Sequence, residues 1–112
     1  MKSLYKLGGL AAALVFLSMP AVAAPDAEAA LKLAKESGCT KCHAVDKTKK
    51  GPPYKKTAEK MKGKPDAEKK VYEQITKPQK VKLEDGTEDD HGAVKSKDEA
   101  QIKNLVQWIL AQ

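Results

Sequence analysis

Hydrophobic positions fall into one continuous run and four spaced patterns. The run, Leu7–Leu17, carries no charge and follows Lys2 and Lys6. In the first pattern Ala27, Ala30, Leu31 and Ala34 recur at i, i+3, i+4 and i+7, with Asp26 and Glu28 ahead of them and Gly38 behind, which predicts an amphipathic helix ending at that glycine. Tyr54, Ala58 and Met61 share one face of a short second helix stopped by Gly63. Pro65 at a first-turn position, with Asp66 and Glu68, opens a third helix through Val71, Tyr72 and Ile75, and Pro78 ends it. Ser96-Lys97-Asp98-Glu99 has capping-box spacing with Ser96 as the cap, and Ile102, Leu105, Val106, Ile109 and Leu110 then form the strongest apolar stripe in the chain. No alternating strand pattern of useful length and no internal repeat is present. Residues 79–95 read as a long loop rich in charge and glycine, of a kind that is commonly functional. The pattern predicts an all-α fold of about four short helices.

The apolar run is followed by Ser18-Met19-Pro20 and by Ala21-Val22-Ala23, a small-x-small cleavage pattern. A spanning helix needs about 20 apolar residues, so the run is too short for a permanent membrane anchor. Residues 1–23 are therefore expected to be a secretory signal peptide cut after Ala23. That leaves residues 24–112 as one exported domain in a bacterial periplasm, a compartment that also permits oxidised cysteines.

Composition sharpens the picture once this segment is set aside. Residues 24–112 carry 34 charged side chains and only 13 Leu, Ile, Val or Phe, which is about 15% and below the roughly 20% at which disorder becomes a serious option. Seventeen large apolar side chains make a thin core. A domain this small and polar needs a disulfide, a metal or a bound cofactor to hold it.

Both cysteines of the chain lie in Cys39-Thr40-Lys41-Cys42-His43, directly after the first helix. Two thiols at this spacing on one turn can form thioethers to the two vinyl groups of a single haem, and the next side chain then falls beneath the iron as an imidazole ligand. A zinc site would need a second ligand pair, and there is no further cysteine and only one further histidine. A thioredoxin-like dithiol would need a βαβ setting. A disulfide across so small a ring would stabilise little. Covalent haem c, one per chain, is the reading these residues favour, with Cys39 and Cys42 as attachment points and His43 as proximal ligand.

With these residues in place, the chain resembles the small class I bacterial cytochromes c over almost all of residues 26–112. The likeness runs through Gly38-Cys39, the C-x-x-C-H, Ala44-Val45-Asp46, Gly51-Pro52-Pro53-Tyr54, and Asp98-Glu99-Ala100 leading into Leu105-Val106-Gln107-Trp108-Ile109-Leu110. The resemblance implies four short helices packed around the haem, and a Pro52 carbonyl that accepts from Nδ1 of His43. It also implies a crossing of the first and last helices in which small residues such as Gly38 pack near Trp108. A ligating imidazole in any case needs an acceptor for its other N–H.

The sixth ligand departs from the family pattern, which places a methionine in the loop before the last helix. Met61, the one methionine of residues 24–112, sits on the apolar face of a short helix, a packing position. His91, in Asp89-Asp90-His91-Gly92, lies close to where the family's methionine would fall. A histidine in a polar loop is ordinarily just solvated, but here an axial position stands otherwise unfilled, so His91 is the expected distal ligand, with Met61 or an open or lysine-ligated iron as the alternatives. Imidazole in place of thioether predicts a lower reduction potential, and Asp85, Glu88, Asp89 and Asp90 reinforce it.

The formal charge is +6, and all 21 basic residues are lysine. Fourteen lie between Lys41 and Lys82. Export, the missing arginines and the missing aromatic platform exclude nucleic acid as a partner. A lysine field solubilises, and it can also steer brief docking to acidic redox proteins. The expected function is therefore a monomeric, soluble, periplasmic one-electron carrier and not an enzyme. The competing reading is a haem-based gas binder or redox sensor with a displaceable His91. Peroxide chemistry lacks a distal arginine or further histidine for proton transfer.

Overall fold

The computed structural model describes residues 8–9, 11–16 and 24–112. The expected cleavage site at Ala21-Val22-Ala23 lies outside the described residues. Among the described residues, no helix is long and apolar enough to cross a membrane.

Four helices form where the pattern places them: α1 (Ala27–Glu36), α2 (Tyr54–Met61), α3 (Ala67–Thr76) and α4 (Glu99–Leu110). Asp26 caps α1 by accepting from the Ala29 N–H at 3.0 Å. The helix stops because Gly38 takes φ +79°, a left-handed conformation that glycine adopts without a Cβ penalty. The apolar face of α1 differs from the predicted one. Ala30, Leu33 and Ala34 are buried, whereas Ala27 is exposed and Leu31 is 44% exposed. Two stripes shared Ala30 and Ala34, and the packing against α4 selects the one that places those two small residues, both 0% exposed, at the interface.

Two further helix starts shift. Pro65 lies in a turn before α3, with Asp66 at the cap position and paired to Lys70 at 3.2 Å. In α4 the cap is Asp98, not Ser96. The Asp98 carboxylate accepts from the N–H groups of Ala100 at 2.9 Å and Gln101 at 3.3 Å, while Ser96 Oγ accepts from Asp98 N at 3.1 Å. A carboxylate is the stronger acceptor at a helix N-terminus, where the dipole favours negative charge.

The expected long loop is in part a hairpin. β1 (Gln79–Lys82) and β2 (Glu88–His91) pair antiparallel, with Gln79 opposite His91, Lys80 opposite Asp90 and Lys82 opposite Glu88. Its faces are largely exposed, so it has no apolar alternation to reveal it. Charge complementarity takes that place, with Lys80 Nζ 3.4 Å from Asp90 Oδ1. The turn is built by Asp85, which accepts from Thr87 N at 2.9 Å, and by Gly86 at φ +86°. Among the described residues the fold is thus four helices with one small two-stranded sheet.

The core runs along α4, which contributes Ile102, Leu105, Val106, Trp108 and Ile109. Against these pack Ala30, Leu33 and Ala34 of α1, Tyr54 of α2, and Val71 and Ile75 of α3. Asn104 ties α4 to the start of α1: its Oδ1 accepts from Asp26 N at 2.8 Å and its Nδ2 donates to Asp26 O at 2.9 Å. Removing both bonds with Asn104→Ala is expected to lower the stability of the haem-loaded protein by about 1–3 kcal/mol. Denaturant melts would read this, and the haem absorption spectrum should stay unchanged.

Candidate haem site

After Gly38 turns the chain, Cys39–Lys41 form a single 3-10 turn. The Cys39 carbonyl accepts from Cys42 N at 3.2 Å and from His43 N at 2.9 Å, so both cysteines and the histidine are displayed by one tight turn. Both thiols are free and half-buried. Burial raises the Cys39 thiol above its ordinary pKa, its backbone hydrogen bonding works against that, and the neighbouring Cys42 adds to the rise.

A second segment backs this turn. Gly51 N donates to Cys42 O at 2.8 Å, Tyr54 N to Ala44 O at 2.9 Å and Lys55 N to Val45 O at 3.0 Å. These bonds also satisfy the first amides of α2, whose cap residue, Pro53, has no capping side chain. They bring the Pro52 carbonyl to 2.7 Å from His43 Nδ1, as the family resemblance implied. A carbonyl only accepts, so Nδ1 carries the proton and Nε2 is left to bind a metal. Gly51 is required by close approach: a Cβ there would stand 2.8 Å from His43 Nδ1 and 3.0 Å from Nε2. The Tyr54 ring stacks on His43 with centroids 5.5 Å apart and planes 25° from parallel, and Trp108 meets Tyr54 edge-on at 5.2 Å. The Tyr54 hydroxyl is buried without a hydrogen-bond partner, and burial pushes its pKa up, with a smaller push from Cys39.

His91 reaches the site at the end of β2. Its ring lies 6.1 Å from that of His43, centroid to centroid, with the planes 60° apart. Beyond it, Val94 N donates to Ile75 O at 2.8 Å and Lys95 N to Ser37 Oγ at 3.0 Å, which anchors the strand to α3 and to the end of α1. Burial lowers the His91 pKa, nearby His43 lowers it further, and a hydrogen bond with the Gly92 backbone partly opposes them. Both lowering effects favour the neutral imidazole, the form a metal requires. His91 Nδ1 is buried without a partner. Two imidazoles that share one metal ion through bonds of about 2 Å each would have their nitrogens about 4 Å apart and their ring centres about 6 Å apart, so the residues present fit a single haem iron between His43 and His91.

Met61 sits at the end of α2, packed against the core. Trp108 is buried in the core beside Tyr54, but Gly38 is not at a tight crossing, since a Cβ built on it meets nothing within 4 Å. Its role is conformational, and Ala30 and Ala34 take the packing role. Sequence reasoning missed the contact roles of Gly51 and Tyr54. Both lie in the Gly51-Pro52-Pro53-Tyr54 motif, but no periodicity points from either of them to His43.

Comparison with known proteins agrees with this geometry. The cytochrome c family profile matches residues 27–112. The fold is similar to that of the class 1 cytochrome MtoD from Sideroxydans lithotrophicus ES-1, at 50% sequence identity and a TM-score of 0.74, covering 79% of this chain and 97% of that one. It is also similar to Nitrosomonas europaea cytochrome c552, at 29% identity and a TM-score of 0.57, covering 71% and 95% of the two chains. A deletion mutant of that protein matches at 28% identity and a TM-score of 0.59, over 72% and 96%. No curated protein sequence gives a significant match. A turn that presents two thiols and an imidazole, backed by a glycine and a proline carbonyl, and a profile match over all four helices lead to one conclusion: the chain belongs to the cytochrome c family, as a small class I member with covalently bound haem c.

Proposed function

We propose that this chain is a soluble periplasmic one-electron carrier in which Cys39 and Cys42 hold the haem and His43 and His91 are its two axial ligands. The observation that carries the reading is the 6.1 Å separation of the two imidazole rings, which come from distant parts of the chain. Bound haem supplies one-electron exchange between ferric and ferrous iron. The chain's own residues then have three tasks. Pro52 holds the His43 proton and so its tautomer, the hairpin delivers His91, and the core along α4 keeps both in place while the charge changes. With both axial positions filled by protein, no group is needed to move a proton and none is available for substrate.

Six lysines and one aspartate occupy residues 40–56, the segment that contains Cys42, His43 and Pro52. The acidic residues Glu84, Asp85, Glu88, Asp89 and Asp90 lie on the hairpin and its turn instead. This separation of charge supports brief docking of the lysine-rich side to acidic redox proteins.

Three outcomes are expected. Electron-transfer rates with an acidic redox protein should fall by on the order of tenfold as salt rises from about 0.01 to 0.1 M, because steering between opposite charges is screened; a stopped-flow rate independent of salt would remove the docking idea. Carbon monoxide should bind the reduced wild type slowly and His91→Ala rapidly, and His91→Met should raise the reduction potential, since a thioether favours ferrous iron. Rapid stoichiometric binding to the wild type would favour a gas-binding or sensing role.

A further inference from the structure

The proposed axial pair leaves one degree of freedom open. Each imidazole can rotate about the line joining it to the metal, and the electronic structure of ferric iron depends on how the two planes are set. On the His43 side, the Pro52 carbonyl holds Nδ1 at 2.7 Å, a single bond that fixes where the ring edge points. The ring plane is met separately by Tyr54, which lies face to face with it at 5.5 Å and 25°. Tyr54 is 6% exposed, and its own ring is braced edge-on by Trp108 at 5.2 Å and 74°, so it cannot turn without disturbing α4. Its hydroxyl has no hydrogen-bond partner. The aromatic face, not the polar tip, is what the fold uses.

We propose that Tyr54 is a positioning residue for His43: its ring, stacked on the imidazole and braced by Trp108, holds the His43 plane 60° across the plane of His91. This rests on the bis-imidazole reading above. Crossed imidazole planes donate about equally to the two iron orbitals that could hold the unpaired electron, so those orbitals stay close in energy. Parallel planes split them. The first arrangement gives a low-spin ferric EPR spectrum dominated by one strongly shifted low-field feature, and the second gives three well-separated lines.

The test is low-temperature EPR of the ferric, haem-loaded protein. Wild type and Tyr54→Phe, which keeps the ring, are expected to show the single low-field feature. Tyr54→Leu, which removes the stacking face, should move the spectrum toward three lines, and Trp108→Phe, which loosens the brace, should move it less in the same direction. A three-line spectrum from the wild type would overturn the proposal, as would a low-field feature unchanged in both Tyr54→Leu and Trp108→Phe. If Tyr54→Leu yields no holoprotein, the wild-type and Trp108→Phe spectra decide the matter alone. Failure of the underlying reading looks different, because sulfur ligation would add a sulfur-to-iron charge-transfer band to the absorption spectrum whatever the EPR shape.

Discussion

Two imidazoles, one following directly on the first helix and one from a hairpin late in the chain, stand 6.1 Å apart, and most of the fold serves to keep them there. Neither side chain has a strong reason of its own to occupy that place. His43 is held by a proline carbonyl, by a glycine that leaves room for its ring, and by a tyrosine laid against it. His91 is held by backbone, through strand pairing with β1 on one side and the Val94 and Lys95 hydrogen bonds on the other. A short polar chain can meet this constraint because its helices pack mainly on α4, leaving the loops between them to build the site.

The parts of this arrangement that are local in sequence were legible there. The C-x-x-C-H turn follows from residue types at fixed spacing, and four helices follow from apolar periodicity and the Gly38 and Gly63 stops. What could not be read depends on choices between near-equal local options. The α1 stripe could run through Leu31 or Leu33, and only the close approach of α4 to Ala30 and Ala34 decides between them. Both Ser96 and Asp98 can cap α4, and the carboxylate prevails. The hairpin was hidden because strands exposed on both faces carry no hydrophobic alternation. Asp85-Gly86 between lysine and acidic runs that mirror each other, Lys80 and Lys82 against Glu88 and Asp90, was the signal that could have found it.

Charge follows the same division of labour. Lysines dominate the segment around the C-x-x-C-H turn, while carboxylates gather on the hairpin that bears His91. Within the hairpin one pair of opposite charges, Lys80 and Asp90, meets across the strands at 3.4 Å, next to His91. Negative charge near His91 would favour the more positive ferric iron, in the same direction as the proposed second imidazole in place of a thioether.

The axial pair is where the account is most exposed. The decisive measurement is the near-infrared magnetic circular dichroism and visible absorption of the oxidised wild-type protein. The account predicts the low-energy charge-transfer band of a low-spin bis-imidazole haem, with no sulfur-to-iron band. A sulfur-to-iron band would mean that Met61 is the ligand and that His91 is not, and it would contradict the account at its centre.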